Sequence, residues 1–143
     1  MNDKSESVGN PAARICVFER ALKARRFQCL HAERAIIAER EEINCDNSYC
    51  LQRCRELLET VIDKGRFLNH GRIDIDTMSF AQRFRYEMGA LNGLRIIIED
   101  TGHAAINDVN ELTSLAEEHF GSLKDLPYGI IIHEVAALHS RRR

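Results

Sequence analysis

Long apolar runs are missing from this 143-residue chain. The longest uninterrupted runs of Val, Ile or Leu span residues 96–98 and 130–132, far short of the roughly 20 residues that a bilayer-crossing helix needs. No membrane partner is therefore expected. The first ten residues, MNDKSESVGN, lack the apolar stretch of a secretory signal, so the chain reads as cytoplasmic, where thiols stay reduced. Charge of one sign is also missing. The formal net charge of -2 supplies no global positive field, and a nucleic-acid partner is not expected. The basic cluster Arg14, Arg20, Lys23, Arg25 and Arg26 is local and reads as a solvated helical face. Only two prolines and eight glycines interrupt the chain, and the segments between them are rich in Ala, Leu, Glu and Arg. That composition favours helices.

The common signatures of catalysis are absent as well. There is no Gly-x-Ser-x-Gly, no His-Glu-x-x-His, no Glu-x-x-His and no glycine-rich phosphate loop. The six histidines do not pair at ligand spacing: His133 and His139, for example, stand six apart. No catalytic residue is assigned; an enzyme site assembled between helices from residues far apart in sequence needs no local motif and stays open.

Hydrophobic residues make up 44% and charged residues 29% of the chain, near the globular average, so a packed core is expected rather than disorder. A chain of this length suits one domain that buries roughly two thirds of its unfolded surface. Behind a flexible tail over residues 1–9, Asn10 and Pro11 make a helix start. Apolar positions Ile15, Phe18, Leu22, Cys29 and Ile36, with Leu30 and Ile37 offset by one, then recur at helical spacing, predicting one long helix to about residue 42. The turn Cys-Asp-Asn-Ser at 45–48 leads into a second helix with Cys50, Cys54, Leu57, Leu58 and Val61 inward, stopped near His70–Gly71.

Ser79 with Gln82 forms a capping box for a third helix, whose stripe is Phe80, Phe84, Met88, Leu91, Leu94 and Ile98. Gly89 and Gly93, four apart, leave one face of that helix bare for another backbone. Asp108 with Glu111 opens a fourth helix and Pro127 a fifth. The expected fold is all-α: a single-domain bundle of about five helices over residues 10–143.

One local feature carries chemistry. Cys45, Cys50 and Cys54 crowd into ten residues, and thiolate is both a soft metal ligand and a redox nucleophile. The spacing Cys-x4-Cys-x3-Cys is not the paired Cys-x2-Cys of zinc ribbons. Helical spacing puts Cys50 and Cys54 on one side with Cys45 in the turn before them. Cys29 is the candidate fourth ligand, but a straight first helix would hold it on the order of 13 Å away. Asp46, Glu41 or Glu42 would then supply oxygen instead. The competing reading makes the cysteines core residues, since free cysteine is among the most buried residue types. The odd count argues against a closed disulfide framework.

Two functions follow. The first is a non-catalytic protein acting by binding a protein partner, or by self-association, through its amphipathic helices. The alternative is a zinc, iron–sulfur or redox-sensing thiolate site formed by Cys45, Cys50 and Cys54 with Cys29.

Overall fold

Where the apolar spacing predicts one long helix, the chain builds a short helix and a β-hairpin. The computed structural model describes residues 14–69 and 73–141. The tail over 1–9, the Asn10–Pro11 helix start and the His70–Gly71 stop lie outside them. The first described helix, α1, is only Glu19–Lys23. Strands β1 (Ala32–Ile37) and β2 (Arg40–Cys45) follow, paired antiparallel from Ala32 opposite Cys45 to Ile37 opposite Arg40. Four longer helices come next: α2 (Ser48–Lys64), α3 (Phe80–Asp100), α4 (Val109–Phe120) and α5 (Tyr128–Arg141). The all-α expectation is thus corrected to a mostly helical fold with one two-stranded antiparallel sheet.

The physical reason lies in two backbone reversals that the sequence does not advertise. Arg25 stands at φ 63° and ends α1 without a glycine. Ala38 and Glu39 both have positive φ, 52° and 67°, and form the two-residue hairpin turn. Such turns are usually marked by Asn-Gly or Asp-Gly, so Ala-Glu within an AERE-rich stretch reads as helix. Tertiary bonds hold the turn against that propensity. Arg34 reaches across the hairpin to Glu41 at 2.9 Å and donates to the Leu22 carbonyl at 3.0 Å. The Ile43 amide donates to the Glu19 carboxylate at 3.0 Å, and the Cys16 amide donates to the Ile43 carbonyl at 2.9 Å. Ile43 itself is fully buried. Ile36 and Ile37, expected to face a core, are 72% and 51% exposed instead.

From Ser48 onward the predicted helices are present. Asn47 caps α2 through its side chain, which accepts from the Cys50 amide at 2.9 Å. Ser79 and Gln82 form the expected capping box on α3, and Asp108 caps α4 by accepting from the Glu111 amide. Helix α3 is central: Leu91, Leu94 and Ile98 are buried among Leu58 and Val61 of α2, Leu112 and Ala116 of α4, and Ile131 and Val135 of α5. Phe80, at the head of the predicted stripe, is 66% exposed and carries the Arg20 guanidinium over its ring.

The bare glycine face of α3 is taken by α5. A Cβ at Gly89 would stand 2.6 Å from Val135 Cα, and one at Gly93 would stand 2.7 Å from Ile131 Cα. No described helix is long and apolar enough to cross a membrane.

Candidate thiolate site

The hairpin correction changes what stands next to what. With the long first helix gone, Cys29 sits in the turn that enters β1, where its carbonyl accepts from the Ala32 amide at 3.1 Å. Ala32 pairs with Cys45 at the base of the hairpin, so Cys29 and Cys45 are neighbours across that base. The expected separation along a straight helix does not apply. A parallel bridge from Gln28 to Asp108 pins this turn to the start of α4, and the Val109 amide donates to the Gln28 carbonyl at 2.8 Å.

Cys16 arrives from a third direction. Ile15 bridges Asn44 antiparallel, and the Cys16 amide bonds the Ile43 carbonyl. This sets Cys16 opposite Ile43, on the face that Cys45 shares by strand alternation. Cys50 and Cys54 lie one turn apart in the first turns of α2, directly after the Asn47 cap. Four segments therefore deliver five cysteines, all of them free, to one end of the fold.

Each of the sulfurs of Cys16, Cys29, Cys45 and Cys54 lies within electrostatic reach of the other three. Burial is the first cause of their raised pKa values. It pushes the Cys45 thiol to about 11 and the Cys54 thiol to about 12, and it raises those of Cys16 and Cys29. Neighbouring thiolates push the same way, because like charges cannot all ionise in one buried place.

Backbone hydrogen bonding at Phe18, His31 and Asn47 pulls the other way for Cys16, Cys29 and Cys45. The Cys45 thiol itself donates to the Asn47 carbonyl at 3.3 Å. Cys50 differs from these four. Its Sγ donates to the Asn110 side-chain oxygen at 3.5 Å, and the Arg53 guanidinium stands 3.9 Å from it.

The oxygen ligands considered from the sequence have other partners. Asp46 Oδ1 lies 2.7 Å from His31 Nδ1, and Glu41 is held by Arg34 and Arg25. Glu42 falls on the opposite strand face from Cys45. Among the described residues, no three His, Cys, Asp or Glu side chains make a group that could hold a single metal ion.

The sequence reading did not single out Cys16, nor Arg53, which is buried against α4 with 2.8 Å to Thr113 Oγ1 and 3.0 Å to Asn110 Oδ1. A weak signal for Cys16 existed: it flanks Phe18, at the start of the same apolar pattern. Arg53 gave no signal, because a charged residue between Gln52 and Cys54 looks solvent-facing.

The basic cluster is largely spent on ion pairs. Arg14 meets Glu33, Arg20 meets Glu87, Lys23 meets Glu19 and Arg25 meets Glu41. The hollow of about 170 Å³ beside Ile62 and Ile75 is lined by Glu59, Asp63, Asp74 and Arg66 and by none of the cysteines. No protein-family model, curated protein or solved structure matches this chain.

Proposed function

We propose that this protein carries a thiolate-bound metal centre where the hairpin meets α2, and that the centre ties these segments together. The observation that carries this reading is the delivery of cysteines from four separate segments to one largely buried place. A packing role needs no such convergence, since a buried cysteine packs equally well anywhere in a core. Metal binding supplies the energy that burial alone withholds: it displaces the thiol protons and contributes directly to folding.

Metal analysis of anoxically purified protein tests this reading, alongside Cys45→Ser and Cys54→Ser. Bound metal at a fixed ratio in the parent, lost in both variants, is the expected result. Metal-free parent protein that refuses zinc and iron on anoxic reconstitution would reject it.

A second reading is action through a protein partner, including a second copy of this chain. It is favoured by the exposed side chains Ile36 and Ile37 on the hairpin, 72% and 51% accessible, and Leu30 just before it, 71% accessible. Solvent-exposed apolar residues grouped on one projecting element are a usual mark of an interaction site. Sedimentation of the parent against Ile36→Glu tests self-association. An unchanged, concentration-independent mass for both would leave the hairpin without that role.

A further inference from the structure

Resting on the partner reading of the hairpin, we infer that β1 pairs with β1 of a second copy of this chain, joining two hairpins into one four-stranded antiparallel sheet. The two edges of the hairpin differ. The far edge of β2 is covered: the Cys16 amide donates to the Ile43 carbonyl at 2.9 Å, and the Ile43 amide donates to the Glu19 carboxylate at 3.0 Å. Among the described residues, no hydrogen bond reaches the main chain of residues 33–37 from outside the hairpin. The outer edge of β1 is therefore open. A two-stranded sheet is marginal alone, and further strands are the usual remedy.

The phase of the ladder fixes which groups this edge offers. Both main-chain groups of Ile43 point away from β1, so Arg34, directly opposite, points its own away from β2. Bonded and non-bonded positions alternate along an antiparallel pair, so Ile36 faces outward as well. Ala32 lies at the end of this row, and its amide is taken by the Cys29 carbonyl at 3.1 Å. The open edge thus presents the amides and carbonyls of Arg34 and Ile36.

A second β1 completes this set by symmetry. About a two-fold axis at Ala35, Arg34 of each copy stands opposite Ile36 of the other, and each such pair exchanges two hydrogen bonds. Every one of these amides and carbonyls then has a partner. The small Ala35 side chain meets its own copy at the axis. Ile36, 72% exposed, lies along the Arg34 stem and diagonal to Ile36 of the second copy, while Ile37 lies diagonal to the second Ala35. Neighbouring registers fail. An axis at Arg34 sets two guanidiniums opposite each other. An axis at Ile36 aims the Arg34 groups at Ala38, which the turn holds at φ 52°, outside the strand. Glu33 and Arg34 are already paired with Arg14 and Glu41, so neither brings an unbalanced charge to the contact. The strand matches itself, and that makes a second copy the occupant.

The test is sedimentation velocity of the full chain over a concentration series, with Ile36→Pro and Ala35→Cys beside the parent. Proline at position 36 removes an amide that points out of the hairpin and leaves the bonds between β1 and β2 in place. The parent is expected to dimerise as concentration rises, since one strand from each copy makes a small interface. Ile36→Pro is expected to raise the dissociation constant about 30-fold, the worth of the two hydrogen bonds that symmetry removes. Ala35→Cys is expected to give a disulfide-linked dimer on mild oxidation, mapped to 35–35 by mass spectrometry, while the parent with its five cysteines gives none.

A dimer that keeps the parent's affinity in Ile36→Pro and yields no 35–35 link, yet dissociates in Ile36→Glu, would overturn the strand pairing and leave the hairpin a partner site. A parent that stays monomeric at every concentration, with no 35–35 link in Ala35→Cys, would overturn the pairing and self-association through the hairpin together.

Discussion

Glu87 is the residue whose setting departs most from its type. Its carboxyl is fully buried in α3, receives the Ala21 amide at 3.1 Å, and lies 2.9 Å from Arg83 and 3.5 Å from Arg20. Burial pushes it up to about 7, against the opposing pull of Arg83, the Ala21 amide and Arg20. The folded chain therefore holds a proton that the unfolded chain releases near its ordinary value of 4.5. Stability is expected to fall as pH rises from about 4.5 to about 7, and to level off above that as far as this group is concerned. Urea midpoints across that window check it, and Glu87→Gln is expected to flatten the slope.

Glu87→Ala is expected to cost roughly 3 kcal/mol or more, since it leaves two guanidiniums and the Ala21 amide without their partner. An equilibrium unfolding curve measures that loss. Leu91→Asp, at a fully buried position of α3, is expected to cost several kcal/mol through an unpaired buried charge. A melting temperature near the parent's would remove Leu91 from the core. The burial of Leu91 was legible from its helical period. That of Glu87 was not, because its polar neighbours Arg20 and Ala21 lie some 66 positions away in the chain.

Among the elements, the α3–α5 pair sets the closest packing. Gly89 and Gly93 allow the α5 backbone to lie directly on α3, and no side chain fits between them. Gly89→Ala is expected to destabilise by about 1–3 kcal/mol from overpacking, despite the roughly 1 kcal/mol that alanine gains in helix propensity. Gly129→Ala is the control. Its Cβ would meet nothing within 4 Å, so the propensity gain stands and a rise of about 0.4–1 kcal/mol is expected. Thermal melts of the two variants should move in opposite directions. The glycine spacing announced that a backbone would approach α3. Which helix would come was decided by the chain's path, since α4 and α5 both carry apolar stripes.

The hairpin is the element the sequence disguised. Its Ala-Glu turn and Glu- and Arg-rich strands have the local preferences of a helix, and its apolar positions match a helical period by coincidence. Pairing with the 15–16 segment, the Glu19 carboxylate and the Leu22 carbonyl overrides those preferences. Asn47, just after the base of the hairpin, reads in the sequence as part of a turn and proves to cap α2. Asn47→Ala is expected to cost about 1 kcal/mol, the usual loss of an N-terminal cap, and a chemical denaturation curve resolves it.

At the scale of the whole molecule, the thiol cluster joins the hairpin half to the helical half. The described residues share one hydrophobic core, to which the hairpin contributes fully buried Ile43, while Ile36 and Ile37 stay exposed. If the proposed centre binds metal, stripping it is expected to loosen the hairpin first, because ligation there would add folding energy that burial does not replace. Amide exchange is the measurement: protection over residues 28–46 should drop on chelation while the α3 interior stays protected. Equal loss throughout would mean that the centre supports the whole fold rather than the hairpin.

The sequence by itself determined the helices from Ser48 onward, their caps, and the stripes of α2, α3, α4 and α5. These depend on residues within a turn or two of one another, and local spacing encodes them. It also singled out Cys45, Cys50 and Cys54, because they are neighbours in the chain. Only the tertiary structure decided that residues 14–45 form a short helix and a hairpin, where positive-φ reversals at Arg25, Ala38 and Glu39 are held by bonds to distant residues. That same path brings Cys16 and Cys29 to the cluster and turns Cys50 toward Asn110. A convergence of four segments depends on long-range pairing, which spacing along one chain does not record.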